Sequence, residues 1–216
     1  ERMKSEPVAL DRPVVVIDGW LPVGAGTIAS KLRRMVGVES DDFLIVSDFP
    51  PNRFQDTAAR VVDLVEKTWP SDDPQWTTEV DVVGYSWGGL VGRVAALMPE
   101  EGEPPRKQLR IKRLFTVSTP HRGTIGLVSM IAVDSASHDM QPGSLFLTKL
   151  DHTLPVSYEM ICYTMLGDEI VGATHAAPPD REPIWVDGII LSPKGAYRHR
   201  RILADIALRL RGEEPL

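Results

Sequence analysis

Short apolar runs recur along the chain and predict its strands. Runs of four to eight residues rich in Val, Ile and Phe are typical of strands buried on both faces. The strands predicted in this way are Pro13–Asp18, Phe43–Ser47, Val80–Val83, Lys112–Val117, Glu159–Leu166 and Pro183–Leu191. The last of them is interrupted by Asp187 and Gly188.

Amphipathic segments alternate with these strands and predict helices. Apolar residues three, four and seven positions apart mark helices around Ile28–Val36, Phe54–Trp69, Leu90–Met98 and His199–Arg211. Thr27 is predicted to cap the first helix, and Asn52 with Gln55 forms a possible capping box before the second. Alternating strands and helices indicate a parallel sheet with helices on both faces.

The length of 216 residues suits one domain with a well-buried core. Residues 1–12 are polar and predict an N-terminal arm, whereas residues 13–216 predict a single domain. Within it, residues 121–158 are a candidate for a short lid or cleft segment. The lone Cys162 cannot form an internal disulfide and is expected to be a small buried hydrophobe.

The net charge of −6 argues against nucleic acid or an anionic membrane as partner. No apolar stretch is long enough to cross a membrane, so no stable membrane anchor is expected. A cytoplasmic location is the expectation, although the chain begins with Glu1 and a removed leader remains an alternative. Nothing in the sequence indicates an oligomeric state.

The stretch Gly84-Tyr85-Ser86-Trp87-Gly88 lies between a predicted strand and a predicted helix. A serine flanked by glycines in that position describes a nucleophile elbow, in which a tight turn lifts the hydroxyl above the sheet. Glycine suits the places two residues either side because side chains there would collide. The alternative is a glycine-rich turn with a surface serine.

The longer stretch DVVGYSWGGLVGRVAAL resembles the elbow of the α/β-hydrolase superfamily, particularly its small lipases and esterases. VSTPHRGT resembles the strand and turn that follow the elbow in those lipases. The resemblance extends from Pro13 to the last helix. It implies the α/β-hydrolase fold, with a reduced, mostly parallel sheet of about six strands, helices on both faces and no large cap domain.

A serine nucleophile needs a histidine to take its proton and a carboxylate to orient that histidine. The segment Gly167–Val171 resembles the acid turn of the superfamily, which implies that Asp168 is the acid, with Glu169 as second candidate. The alternative is a solvated acidic turn.

In the superfamily the histidine follows the acid in the chain and precedes the last helix, which implies His199. The family usually has a small residue beside this histidine, whereas Arg198 and Arg200 flank it here. The competing candidate is His175, in the loop after the acid turn.

The remaining histidines are not expected to be catalytic. His121 lies in a segment that resembles the floor of the lipase site, where its histidine is generally not the base. His138 and His152 are expected at the surface. Asp134 and Asp139 lie near His138 in the sequence, but one histidine with scattered carboxylates is a poor metal ligand set. Serine-type ester hydrolysis needs no metal and no cofactor, and none is expected.

The oxyanion hole needs two backbone N–H donors. The resemblance implies Trp87 as one and Trp20, in the turn after the first strand, as the other. Asp18 stands where relatives carry histidine, so a negative charge is expected near the oxyanion unless other donors engage it. A shifted pH optimum, a different leaving group or reduced activity would be its consequence.

Trp20, Leu21 and Trp87 are expected to form an apolar wall that favours an acyl group. Ile125–Val133 is predicted as a short helix along the cleft, and the segment 141–150 either covers the sheet or contacts the acyl chain. The predicted function is a serine carboxylic-ester hydrolase that acts through an acyl-enzyme on a small-molecule ester or lipid. The alternatives are an acyltransferase or thioesterase with the same triad, and a non-catalytic binding protein.

Overall fold

A six-stranded sheet forms the centre of the molecule. The computed structural model describes residues 3, 6–37, 40–47, 53–99, 101, 103, 105–125, 135–190 and 195–215. The strands are β1 (Val14–Ile17), β2 (Phe43–Val46), β3 (Val80–Tyr85), β4 (Ile111–Val117), β5 (Glu159–Asp168) and β6 (Ile184–Ile190). Their order is β2-β1-β3-β4-β5-β6, and every neighbouring pair is parallel. The predicted parallel sheet of about six strands is therefore confirmed.

Helices connect the strands and cover the sheet. They are α1 (Ala25–Val36), α2 (Phe54–Thr68), α3 (Trp87–Ala95), α4 (Ser135–Asp139), α5 (Leu145–Asp151) and α6 (Arg200–Leu210), with short 3-10 turns at Ser40–Asp42 and Ala196–Arg198. Within the described residues, none of these helices is both long and apolar enough to cross a membrane.

The core has two halves, one on each face of the sheet. Because side chains alternate along a strand, Val14 and Val16 pack with α1 and α6, while Val15 and Ile17 pack with α2 and α3. The predicted stripes of α2 and α6 are buried in these two halves. Helices on both faces are therefore confirmed.

Several predicted boundaries are wrong in detail. Helix α1 begins at Ala25, so Thr27 lies inside it and does not cap it. Helix α3 ends at Ala95, before Leu97 and Met98. Strand β5 runs on to Asp168, so this residue ends the strand instead of lying in the following turn. Asn52 and residues 126–133 lie outside the described residues.

The parallel arrangement brings one set of strand ends together. Ile17 pairs with Gly84, Tyr85 with Val117 and Val117 with Tyr163. The residues that directly follow β1, β3 and β4 are therefore neighbours at the carboxyl edge of the sheet. Ligands of open parallel sheets bind at this edge.

Candidate active site

Ser86 has a backbone conformation that few non-glycine residues adopt. It lies between β3 and α3, with φ 50° and ψ −123°. Its N–H donates to the carbonyl oxygen of Val117, 2.8 Å away, which ties the turn to β4. A positive φ is uncommon outside glycine, and such strain concentrates at functional sites. The strand–serine–helix turn expected from the sequence is thus present.

The glycines around Ser86 are required by close backbone contacts. A Cβ on Gly84 would lie 2.5 Å from Cα of Gly89, and one on Gly88 would lie 2.4 Å from the carbonyl oxygen of Asp18. A Cβ on Gly19 would lie 3.2 Å from Cβ of Ser86. The turn after β1 therefore packs directly against the start of α3 and beside the serine.

The contact between the turn after β1 and the start of α3 brings the two predicted oxyanion donors to the same region. Trp87 is the first residue of α3, and its N–H belongs to the first turn, whose amides have no partner within the helix. Trp20 follows Gly19, whose backbone adjoins Ser86. The positive end of the α3 dipole also favours negative charge here. The arrangement is suited to an oxyanion, and the assignment of the two amides remains a prediction.

The side chain of Trp87 does not form the expected pocket wall. It is 1% exposed, its indole packs 5.2 Å from the ring of Phe54, and that ring stacks on Phe146 at 4.2 Å. The indole therefore belongs to the core beneath α2 and α5. Trp20 is half-buried and Leu21 is 49% exposed, so these two remain available as an apolar wall.

Asp18 is fully engaged by hydrogen bonds. Its Oδ1 accepts from the N–H groups of Gly19, Gly24 and Ala25 at 2.9–3.0 Å, and its Oδ2 accepts from the hydroxyl of Ser47 at 2.7 Å. Because two of these donors start α1, the buried carboxylate caps that helix from outside. The negative charge that the sequence placed near the oxyanion is thus compensated by four donors.

Asp168 ends β5 with a carboxylate that is only half engaged. Oδ1 accepts from the N–H groups of Ile170 and Val171, at 3.1 and 2.9 Å. Oδ2 is buried and has no hydrogen-bond partner among the described residues. Glu169, the second candidate, is exposed. Burial and a fixed orientation favour Asp168 as the acid.

His199 links the last 3-10 turn to α6, where it occupies the N-cap position. Its Nδ1 is buried and, like Oδ2 of Asp168, has no hydrogen-bond partner among the described residues. A catalytic triad would join these two atoms, but no hydrogen bond joins them in the structure. The competing His175 places Nδ1 3.0 Å from the carbonyl oxygen of Gly123, so a backbone group and not a carboxylate orients it.

Tyr85 connects the three predicted triad positions. It directly precedes Ser86, and its ring packs edge-on against Tyr197 at 5.2 Å, two residues before His199. Burial raises the pKa of Tyr85, and the nearby Tyr197, Asp168 and Asp18 raise this pKa further. Ser86 and the segment before His199 therefore adjoin one phenol ring, and the charge of Asp168 is near enough to raise the pKa of that phenol.

His121 is part of the core. It is fully buried, with Nδ1 3.3 Å from a guanidinium nitrogen of Arg93 and Nε2 3.1 Å from the hydroxyl of Thr116. Arginine can only donate, so Nδ1 is the acceptor and Nε2 carries the hydrogen. Burial and Arg93 hold the pKa of His121 well below its usual value. These contacts agree with a packing role.

The other histidines have no metal-binding surroundings in the described part of the chain. His138 and His152 are exposed, as expected. No group of three or more His, Cys, Asp or Glu residues that could hold a metal is found among the described residues.

Ser118 is a residue that the sequence analysis did not single out. It directly follows β4, has φ 46°, is 4% exposed, and its buried hydroxyl has no partner among the described residues. Serine after a strand is common, so the sequence carried no signal for this conformation.

The structure is similar to several solved hydrolases. A lipase of Bacillus licheniformis, BlEst2, superimposes with a TM-score of 0.57 at 15% identity, over 85% of this chain and 86% of that chain. Serine hydrolase CCSP0084 from Cycloclasticus zankles gives 0.54 at 12% identity, over 94% and 91%. Lipase B of Aspergillus fumigatus gives 0.59 at 16% identity, over 94% of this chain but 53% of that chain.

Sequence comparison adds nothing to this likeness, because no protein-family model and no curated protein matches the chain. Identities this low support a common fold and no common activity.

Proposed function

We propose that this chain, which has the α/β-hydrolase fold, is a serine carboxylic-ester hydrolase. The observation that carries the proposal is the conformation of Ser86, a non-glycine residue with φ 50° between a buried strand and a buried helix. A fold does not fix a function, so the proposal depends on what surrounds this serine.

In the first half of the reaction, Oγ of Ser86 attacks the acyl carbon while Nε2 of His199 takes the hydroxyl proton. Oδ2 of Asp168 accepts a hydrogen bond from Nδ1–H and holds the imidazole in the required tautomer. The N–H groups of Trp87 and Trp20 donate to the oxyanion, a term worth roughly 3–4 kcal/mol per donor. The tetrahedral species then collapses, and the departing alcohol takes the proton from His199.

In the second half, water attacks the acyl-enzyme and gives its proton to Nε2 of His199. Collapse of the second tetrahedral species breaks the bond to Oγ of Ser86, which recovers that proton. The products are the carboxylic acid and the free enzyme. A thiol ester as the acyl donor, or an alcohol in place of water as the acyl acceptor, would use the same steps. The experiment below therefore varies both the donor and the acceptor.

The orphaned atoms of Asp168 and His199 support the assignment of the triad. A buried carboxylate oxygen and a buried ring nitrogen without partners are each costly, and one hydrogen bond between them would remove both costs. In unliganded enzymes such bonds are often long and tighten when substrate binds.

The features that favour a non-catalytic binding protein are Arg198 and Arg200, which flank His199, and Asp18. Its four hydrogen bonds give it a structural role as the cap of α1, so its charge no longer argues against an oxyanion at this site. The exposed Leu21, with Trp20 beside it, favours an apolar acyl group as the substrate.

The decisive experiment is labelling with a fluorophosphonate probe, which reacts covalently with activated serines. We expect the wild-type chain to be labelled and Ser86→Ala to be inert. His199→Ala and Asp168→Asn are expected to react far more slowly. Hydrolysis of p-nitrophenyl esters of increasing chain length then reports the acyl preference, and product analysis with added alcohols or thioesters separates hydrolysis from transfer.

His175→Ala is the matched control, because it removes the competing histidine from the neighbouring loop. Full labelling of His199→Ala together with loss in His175→Ala would reassign the base. A wild-type chain that is folded but never labelled would contradict the proposed function.

A further inference from the structure

The side chain that precedes Ser86 lies on the opposite face of the sheet from Trp87. Tyr85 is the last residue of β3 and is 7% exposed. Its ring packs in the half of the core that α1 and α6 cover, whereas the indole of Trp87 packs with α2 and α3. The reaction steps above give Tyr85 no part, although it is a large buried side chain directly beside the nucleophile.

One edge of the Tyr85 ring lies against the turn after β1. A Cβ on Gly24 would lie 2.7 Å from Cδ1 of Tyr85, and one on Gly19 would lie 3.0 Å from the same atom. Oδ1 of Asp18 accepts from the N–H groups of both glycines, so the carboxylate draws the two ends of this turn together. Trp20, the second predicted oxyanion donor, lies between them in the sequence. The turn that carries this amide therefore rests on the Tyr85 ring.

The Tyr85 ring also contacts the 3-10 turn that leads to His199. The rings of Tyr85 and Tyr197 meet edge-on, with 5.2 Å between their centroids and 71° between their planes. Tyr197 is 1% exposed and belongs to the turn Ala196–Arg198, which His199 directly follows. Because edge-to-face rings have a preferred separation, a displacement of Tyr85 would also displace this turn.

The two turns are held differently from Ser86. The N–H of Ser86 donates to the carbonyl oxygen of Val117 in the neighbouring strand, whereas residues 19–24 and Ala196–Arg198 belong to no strand. Packing against Tyr85 is therefore an interaction that both turns share. Burial raises the pKa of Tyr85, so the phenol stays neutral and the ring acts by its shape.

We propose that Tyr85 is a positioning residue whose ring sets the separation between the turn that carries the Trp20 N–H and the turn that presents His199. This inference rests on the proposed ester hydrolysis. In that reaction the amide binds the oxyanion while the imidazole moves the proton of the same tetrahedral species. Their separation therefore affects the transition state more than substrate binding, and a misplacement of about 1 Å can cost about 100-fold in rate.

The first test removes the ring. Tyr85→Phe keeps it, whereas the side chain in Tyr85→Val ends at Cγ and lacks Cδ1. We expect kcat for a short p-nitrophenyl ester to stay within about twofold of wild type in Tyr85→Phe and to fall about tenfold in Tyr85→Val, with KM unchanged in both. Phe115→Val is the matched control, because it deletes a buried ring from the same half of the core, two residues before the end of β4. It should leave kcat per active site unchanged.

Gly24→Ala tests the same contact without opening a cavity. Gly24 has φ −105° and ψ −48°, which alanine adopts, but the new Cβ would meet Cδ1 of Tyr85. We expect kcat to fall about tenfold. The double variant Gly24→Ala/Tyr85→Val removes this collision, so it should lose about tenfold and not the roughly 100-fold product of two independent losses. Restoration is partial because Oδ1 of Asp18 lies 3.2 Å from the same Cβ.

Fluorophosphonate titration of active sites normalises every rate, and urea unfolding supplies the folded fraction of each variant. Equal losses of kcat in Tyr85→Phe and Tyr85→Val would overturn the inference, since the hydroxyl and not the ring would then be required. An equal loss in Phe115→Val, or a double variant whose losses multiply, would also overturn it. A wild-type chain that neither labels nor hydrolyses would remove the reaction itself, whereas an active wild type with unchanged kcat in Tyr85→Val would remove this inference alone.

Discussion

At the scale of single residues, Asp18 illustrates how a charged side chain becomes structural. Its carboxylate accepts three backbone N–H groups and one hydroxyl. We expect Asp18→Ala to lower the free energy of unfolding by about 3 kcal/mol, since it leaves buried donors unsatisfied and removes a helix cap. Asp18→Asn keeps an acceptor at Oδ1 and should cost about 1 kcal/mol. Urea unfolding of both variants checks this, and equal losses would contradict it.

His121 gives a pH dependence of stability with a definite sign. Its pKa in the folded chain lies well below the usual 6.5 because of burial and Arg93. Between these two values the unfolded chain binds one more proton, so the free energy of unfolding decreases as pH falls, by up to about 1.4 kcal/mol per pH unit. Above pH 6.5 this contribution is complete.

The variant His121→Asn tests this linkage. Its amide oxygen can still accept from Arg93, but the side chain does not titrate. We expect a chain that is less stable at pH 7 and that loses less stability than wild type between pH 6.5 and pH 5. Urea titrations at several pH values measure the two slopes, and identical slopes would exclude His121 as the source.

At the scale of elements, the contact between α3 and the end of β1 determines the site. A Cβ on Gly88 would lie 2.4 Å from the carbonyl oxygen of Asp18 and 2.5 Å from that of Ile17. We expect Gly88→Ala to destabilise the chain by about 2 kcal/mol, as overpacking does. It should also slow fluorophosphonate labelling, because α3 is displaced relative to the turn that carries Trp20.

Gly26→Ala makes the same substitution where nothing lies within 4 Å of the new Cβ. Because Gly26 is inside α1, alanine should stabilise the chain by about 0.5–1 kcal/mol and leave labelling unchanged. If both variants were labelled at the wild-type rate, the close contact at Gly88 would not be needed for the site.

The sequence predicted elements well where a local pattern determines them. Strands appeared as apolar runs, and the turn at Ser86 appeared because its glycines form a recognisable local pattern between a strand and a helix. The burial of the Trp87 indole could also have been predicted, since Trp87 lies on the same helical stripe as Leu90, Val91 and Val94. The sequence analysis instead expected this side chain in the pocket.

Features that depend on distant parts of the chain could not be predicted from the sequence. The cap of α1 comes from Asp18, seven residues before Ala25, through a contact formed only when β1 and α1 pack together. The conformation of Ser118 is imposed by its neighbours in the sheet. The triad of Ser86, Asp168 and His199 stays a prediction, because no hydrogen bond joins Asp168 to His199 in the structure. Its members are far apart in the sequence, so no local pattern could show how they meet.

At the scale of the whole molecule, the amino and carboxyl ends of the strands form two edges of the sheet, and these have different roles. A buried ion pair lies at the amino edge, where Asp81 is 1% exposed and accepts from Nε of Arg113 at 3.0 Å. A second guanidinium N–H of Arg113 completes a bidentate pair, and a third donates to the carbonyl oxygen of Arg209 at the end of α6. The carboxyl edge, five residues or about 16 Å further along β3, carries the candidate site.

This division predicts that stability and activity can be changed separately. Among the described residues, Arg113→Met leaves the buried Asp81 with only the more distant Arg12 as an ionic partner, 3.7 Å away. The substitution should lower the free energy of unfolding by about 3–5 kcal/mol. The rate of Ser86 labelling per folded molecule should stay at the wild-type value. Arg110→Met is the control, since Arg110 is more than half exposed and its pair with Glu79 at 3.8 Å should contribute at most about 1 kcal/mol.

Comparing Arg113→Met with Gly88→Ala tests whether stability and activity can be changed separately. Both substitutions destabilise the chain, but only the one at the carboxyl edge should slow labelling once the rate is corrected for the folded fraction, which urea unfolding supplies. If Arg113→Met slowed labelling as much as Gly88→Ala, the two edges would be coupled through β3. The site would then depend on the global stability of the sheet and not on the local packing of α3 against β1.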